Sequence, residues 1–345
     1  MILICFILVL GVTIMIHELG HFIVAKKAGV YIYEFSLGMG PKIFSKKRKN
    51  DPTEYNIRLF PIGGFVSMAG EDLEEEKVPK EEQLCNKRWI LRFATMIAGI
   101  TFNFLLAIVL LFIIALISGT PKYDTKIGYI DENYPIIDSN IQVGDVIKKV
   151  NQTKINSSEM LVLELTIHSG DALKFTVEHS DGKQETILVT PIQTERDGQI
   201  GYSYGFSLDN TKQTGILPSI QYAFVKTKNL VSQMGKIIYY LVTGKLGLDS
   251  LSGPVGIYSV VGDAVSAGPL NILYLIAYLC INVGLINLIP LPAFDGGRVL
   301  FLIIEKIKGS KVNSKIENTI HSVGFLLLMI LMIYITYHDI LKIFK

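Results

Sequence analysis

Residues 1–27 read MILICFILVLGVTIMIHELGHFIVAKK. The stretch runs 16 residues without a charge, meets His17-Glu18-Leu19-Gly20-His21, and turns apolar again from Phe22 to Ala25. About 20 consecutive apolar residues cross a ~30 Å hydrocarbon core. Met1 to Ala25 is therefore expected to be one spanning helix that carries polar chemistry near its far end. No Lys or Arg precedes the apolar run and no small-x-small site follows before Lys26. The run is thus expected to stay as a span and not to be a cleaved leader.

Three further windows lack any charged side chain: Phe93–Pro121, Ala264–Phe294 and Asn318–His338. With Met1–Ile16 they hold 97 of the 345 residues, and the other 248 carry all 64 charges. That remainder, about a quarter charged, has the composition of ordinary globular protein. A disordered chain is excluded, because half of the residues are hydrophobic. So is a disulfide scaffold: Cys5, Cys85 and Cys280 are far apart, and two of them lie in apolar windows. A net charge of +2 gives no nucleic-acid signature. The partner expected first is the lipid bilayer.

Basic residues set the orientation. Lys26, Lys27, Lys42, Lys46, Lys47, Arg48 and Lys49 follow the first span, and Lys87, Arg88 and Arg92 precede the second. Arg298, Lys306, Lys308, Lys311 and Lys315 lie between the third and fourth. These connections are expected on the cytoplasmic side, with both termini outside. Residues 31–70 are rich in β-branched and aromatic side chains punctuated by Gly and Pro, which predicts short strands and hairpins. Leu73–Gln83 reads as an acidic, lysine-containing surface stretch. Leu173–Glu178 and Gln184–Val189 alternate apolar and polar positions across Asp181-Gly182, a hairpin signal inside a small β-rich domain. Residues 216–247 mix apolar and basic positions, as an amphipathic helix on or against the membrane would.

The chemistry centres on His17-Glu18-x-x-His21. On a helix, positions i and i+4 share a face, so both imidazoles can hold one metal, with Glu18 beside it as a proton acceptor. Zinc lowers the pKa of a bound water to about 7. The five-residue pattern arises by chance in on the order of one chain in a hundred, so it needs support. Part of that support is cost: an acidic residue in a spanning helix costs about 2.5–3.5 kcal/mol on insertion scales unless something compensates. A catalytic zinc usually takes three protein ligands. The first and third spans run in the same direction, and the third window ends at Asp295. Asp295 therefore falls at a depth similar to Glu18 and is the expected third ligand. The stretch before it, from Asn287 through Pro290 and Pro292, interrupts a helix. Broken helix at membrane depth is tolerated only when buried in protein or lining a watery cavity.

At these residues the chain resembles the site-2 protease family of intramembrane zinc metalloproteases, in its RseP-type bacterial branch. His17-Glu18-x-x-His21 matches that family's metal motif. Asn287–Gly297 resembles its Asn-x-x-Pro…Leu-Asp-Gly element, with Phe294 in place of the usual Leu. Glu34–Pro41, Phe60–Asp72 and Leu251–Ile257 look like its other signatures. The resemblance covers nearly the whole chain. It implies a polytopic α-helical membrane protein with four transmembrane spans, a membrane-associated β-rich segment and an inserted extracytoplasmic PDZ-like domain. The expected divisions are an N-terminal membrane part at 1–121, the PDZ-like domain at 122–192, an amphipathic linker at 193–263 and a C-terminal membrane part at 264–345. Val143-Gly144-Asp145-Val146-Ile147 with Val150-Asn151 fits the PDZ pattern, although the usual Ala-Gly before it is absent. Binding of peptide termini and a role as a size filter both fit.

The resemblance further implies a bacterial inner-membrane enzyme with Zn2+ held by His17, His21 and Asp295, and Glu18 as the catalytic base. Gly63, Gly64 and Phe65 belong to a β element that would pair with an unwound substrate. Asn287 and Pro290 belong to the stretch linked to substrate handling. The implied substrates are single-pass membrane proteins, such as anti-sigma factors or signal-peptide remnants. Two rival classes are a zinc peptidase that cuts outside the membrane, told apart by its cleavage position, and a non-catalytic scaffold or transporter, told apart by stoichiometric zinc and chelator-sensitive proteolysis.

Overall fold

The computed structural model describes residues 1–49, 51–71, 78–122, 124–196 and 199–343. Its helices are α1 (Ile2–Lys27), α2 (Trp89–Ser118), α3 (Ser158–Ile167), α4 (Ile216–Val242), α5 (Pro254–Ala267), α6 (Pro269–Leu288), α7 (Asp295–Lys308) and α8 (Ser314–Ile343). Four are long and apolar enough to cross a membrane: α1, α2, α6 and, over Lys315–Leu341, α8. Leu3, Ile4 and Leu8 on α1, Leu105 and Val109 on α2, and Phe325, Leu326 and Leu327 on α8 are exposed on the protein surface. Apolar side chains in such number on helix surfaces suit contact with lipid tails.

The chain divides into two compact units, Met1–Leu111 with Gly247–Lys345, and Phe112–Leu246. In the first, α1 packs on α5 and α6 through Phe6, Val9, Val261 and Leu275. The third charge-free window is not one helix. Gly268, at φ +107°, and Pro269 end α5 and start α6, and the chain breaks again after Leu288. Proline at the first helical position lacks only an N–H that would have been unpaired anyway.

The expected short strands at 31–70 are two long ones, β1 (Ile32–Lys47) and β2 (Glu54–Met68). Each folds back on itself. The start of β1 pairs with the end of β2 (Ile32 with Met68, Leu37 with Gly64), and the end of β1 with the start of β2 (Lys42 with Arg58, Lys47 with Glu54). Glu34–Leu37 also lie beside Glu54–Ile57, so two strands make four lanes. Gly38 is at the bend of β1 with φ +85°, and a Cβ there would stand 2.5 Å from the Phe60 carbonyl oxygen. Glycine alone adopts that backbone without cost. Ala25, Ile32, Val66, Met68, Met96, Val299 and Leu302 form one buried cluster that seats the sheet against α1, α2 and α7. Arg92 and Glu305, 2.7 Å apart, pair α2 with α7. Of the acidic stretch expected at Leu73–Gln83, residues 73–77 lie outside the described residues; Lys80–Glu82 forms a short 3-10 turn.

The second unit holds a four-stranded sheet in the order 153–154, 146–150, 173–178, 184–189. The predicted hairpin appears as paired strands Leu173–Glu178 and Gln184–Val189, with Gly182 at φ +82° in the turn. Phe175, Ile147, Val150 and Leu161 are at its core. The Ser157 hydroxyl caps α3 by accepting from the Met160 N–H at 3.2 Å. In the Gly144-Asp145 motif, Asp145 is buried and accepts from the Gln142 N–H at 2.8 Å and from His179 at 2.9 Å. The predicted amphipathic helix is α4, and its polar face meets α3. Lys226 pairs with Glu159, and Lys236 lies 3.3 Å from Glu164. The Tyr240 hydroxyl donates to Glu164 at 2.6 Å.

One contact in the membrane unit crosses between distant elements. Asp339 of α8 is 4 % exposed, and its Oδ2 accepts from the N–H groups of Gly253 and Gly256 at 2.7 and 2.8 Å. It caps the N-terminus of α5, where Gly253 has no side chain to do so. Asp339→Ala leaves two amides without their acceptor. Denaturation of the full chain in detergent is expected to show a loss of about 1.5–3 kcal/mol. An unchanged transition would show that the cap does not stabilise α8.

A candidate metal centre between three helices

The apolar sequence of α1 keeps it helical through its last turns, so His17 and His21 point from one face. Both are buried, 7 % and 6 % exposed. The break between α6 and α7 brings Asp295 to them. Ala293 there holds φ +79°, a left-handed backbone that costs a non-glycine residue energy. Its N–H donates to His321 Nδ1 of α8 at 3.1 Å. Gly296 and Gly297 let the broken segment fold back on α7: a Cβ on Gly296 would stand 2.3 Å from the Ile289 carbonyl oxygen, and one on Gly297 2.5 Å from that of Leu291. Asp295 is then the first residue of α7, where a carboxylate is favoured by the helix dipole.

The three side chains converge. His17 Nε2 is 2.9 Å from Asp295 Oδ2, His21 Nε2 is 3.2 Å from the same oxygen, and the two Nε2 atoms are 3.2 Å apart. They are the one group of three or more His, Cys, Asp or Glu among the described residues with this convergence. Zinc bonds of ~2.0–2.2 Å at the tetrahedral angle set neighbouring ligand atoms about 3.3–3.6 Å apart. The triangle fits that edge within a few tenths of an ångström, and two imidazoles with a carboxylate are a zinc donor set. Hydrogen bonds behind the ligands orient them, as such sites require. His21 Nδ1 donates to the Thr95 carbonyl oxygen at 2.8 Å. That oxygen only accepts, so Nδ1 carries a proton, and in the neutral ring Nε2 keeps its lone pair for a metal. His17 Nδ1 is 3.3 Å from Asn103 Nδ2.

Helix α2 reaches this close because of two glycines. A Cβ on Gly20 would stand 2.5 Å from the Ala98 carbonyl oxygen, and one on Gly99 would stand 2.4 Å from His21 Nε2. Thr95, Gly99 and Asn103 were not singled out from the sequence. Their signal was present: Gly99 and Asn103 share a face at i, i+4, and Asn103 is a polar residue within a charge-free window.

Glu18, His17, His21 and Asp295 line a cavity of about 690 Å3. Of the residues expected to meet substrate, Phe65 and Asn287 line it as well. Gly64 lies against α1, where a Cβ would come 3.5 Å from Glu18 Cγ and 2.9 Å from the Ser36 carbonyl oxygen. Gly63 turns β2 at φ +88° and rests on Met39. Pro290 is exposed in the break and is not in the cavity wall. The wall adds Arg298 and Glu71, which form an ion pair, and His321.

The sequence profile of peptidase family M50 matches residues 5–331. The zinc metalloprotease RasP of Bacillus licheniformis is 33 % identical over 424 aligned positions, covering 99 % of each chain. The regulator of sigma-W protease RasP of Bacillus subtilis is 31 % identical, covering 99 % of this chain and 98 % of its own. Among solved structures, the PDZ domain of an SdrC-like protein from Listeria monocytogenes is 22 % identical over 26 % of this chain and 92 % of its own, with a TM-score of 0.21. With nearly its whole length matched and four membrane-length helices, the chain belongs to peptidase family M50, the site-2 proteases, as a multi-pass intramembrane zinc metalloprotease.

Proposed function

We propose that this enzyme hydrolyses a peptide bond in or near the transmembrane segment of a single-pass membrane protein. The observation that carries the reading is the meeting of His17, His21, Asp295 and Glu18 in one cavity. His17, His21 and Asp295 hold the zinc, whose chemistry is to acidify water and polarise a carbonyl. Glu18 takes the proton from the attacking water and returns it to the leaving amine. A transmembrane helix hides its carbonyls in hydrogen bonds, so the substrate must unwind before it reacts.

The β2 end, Gly64–Met68, is paired with Ile32–Leu37. Phe65, Val66 and Met68 also line the cavity. That position supports strand addition of the unwound substrate, with Asn287 of the same cavity lining as a further contact. The name of the Bacillus subtilis relative, a regulator of sigma-W protease, supports anti-sigma factors as the substrate class; signal-peptide remnants share the same chemistry. The basic connections support an orientation with the catalytic end of α1 toward the cytoplasm and both termini outside. The β-rich segment 122–192 then lies outside as a PDZ-like domain that filters or binds substrate before it reaches the site.

Three outcomes test this reading. Glu18→Gln should retain zinc and lose about 10²–10⁴-fold in turnover of a membrane-embedded substrate. Wild-type turnover by the purified variant would remove the general-base role. Gly99→Ala pushes a methyl group into His21 and should weaken zinc binding more than about tenfold, measured by chelator competition; unchanged affinity would show that the helix crossing yields. A cysteine at Lys47 should resist an impermeant thiol reagent in intact cells and react after lysis, compared with the parent chain. Ready labelling in intact cells would invert the orientation.

A further inference from the structure

Asn103 is fully buried in the middle of an apolar span, a costly place for an amide. Its Nδ2 is placed 3.3 Å from His17 Nδ1, and its Oδ1 is buried without a hydrogen-bond partner. An amide's oxygen and nitrogen exchange places by a half-turn, and the hydrogen-bond network decides between the two. The choice has consequences for His17. When Nδ2 donates to His17 Nδ1, the proton of the neutral ring sits on Nε2. That Nε2–H has no lone pair for a metal. When the amide is turned, Oδ1 accepts from His17 Nδ1–H and the Nε2 lone pair is free. His21 has no such choice, because the Thr95 carbonyl oxygen only accepts.

We propose that Asn103 is the positioning residue that commits His17 to zinc. In the zinc-loaded enzyme its Oδ1 accepts the His17 Nδ1 proton. Turned this way, the amide presents an acceptor to the ring. It also adds no charge to a span that has none. Gly99, one turn earlier on the same face, lets α2 approach until the amide reaches the ring. The proposal rests on His17 being a zinc ligand.

The test is zinc affinity of the full chain in detergent, read by competition with a chromophoric chelator at fixed pH. Wild type should bind one zinc and His17→Ala should lose it; failure there overturns the site reading and the proposal with it. Given that result, Asn103→Leu should bind zinc about 10–100-fold more weakly. Asn103→Asp keeps the acceptor and should stay within about threefold of wild type or bind more tightly. Wild-type affinity in Asn103→Leu overturns the proposal, and so does a loss in Asn103→Asp as large as that in Asn103→Leu. If Asn103→Leu does not fold, Asn103→Asp decides: a tenfold loss in monodisperse protein overturns the acceptor role. A readout needing no variant is nitrogen NMR of wild type labelled with 15N-histidine. In the zinc-loaded enzyme His17 should carry its proton on Nδ1, and a zinc-bound His17 without a proton there overturns the proposal.

Discussion

A polar side chain at membrane depth must find its partner inside the protein, because hydrocarbon supplies none. The membrane unit is arranged around that constraint. His17 and His21 meet Asp295, and behind them stand the Thr95 carbonyl and the Asn103 amide. Beyond the ends of the charge-free windows the same holds: Arg92 meets Glu305, and Asp339 meets two backbone amides. Each of these contacts joins elements far apart in sequence. The same requirement that satisfies the polar groups therefore holds the helices together, where lipid tails offer little hydrophobic drive for helix association.

Satisfying the constraint at the metal site takes backbone irregularity. Residues 264–308 do not run as one helix. Gly268 and Pro269 divide them once, and the stretch after Leu288 divides them again. Ala293 stays in a left-handed conformation because His321 accepts its N–H and because Gly296 and Gly297 admit the returning chain. Strain of this kind persists where surrounding contacts over-determine it, and here it lies two residues from a candidate ligand.

Close approach is the second device. Gly20 and Gly99 remove the side chains that would hold α1 and α2 apart, so that helix backbone and imidazole come within hydrogen-bond range. The four-lane sheet uses glycine differently. Its positive-φ bends let two strands fold back on themselves, and the last lane, Gly64–Met68, arrives beside Glu18. The inserted unit is built by the ordinary rules of soluble protein. Its hairpin alternates buried and exposed positions around Phe175, and its buried Glu159 and Glu164 are paired by lysines of α4.

Much of this was legible from residue order alone. Charge-free windows located the spans because crossing hydrocarbon demands about 20 apolar residues. The i, i+4 spacing of His17 and His21 and the end of the third window at Asp295 marked the three side chains that converge as candidate ligands, because helical period and membrane depth are both readable in one dimension. The Asp181-Gly182 turn and its flanking alternation marked a hairpin for the same reason. What the sequence could not express was which side chains stand behind the ligands. Asn103 stands out as a polar residue in a charge-free window, but its partner and those of Thr95 and Gly99 appear only where α1 and α2 cross, because a helix crossing joins residues more than 70 positions apart with no local signal of register. The splitting of residues 264–308 into three helices, the folding of two strands into four lanes and the capping of α5 by Asp339 were decided the same way. They depend on contacts whose partners only tertiary packing brings together.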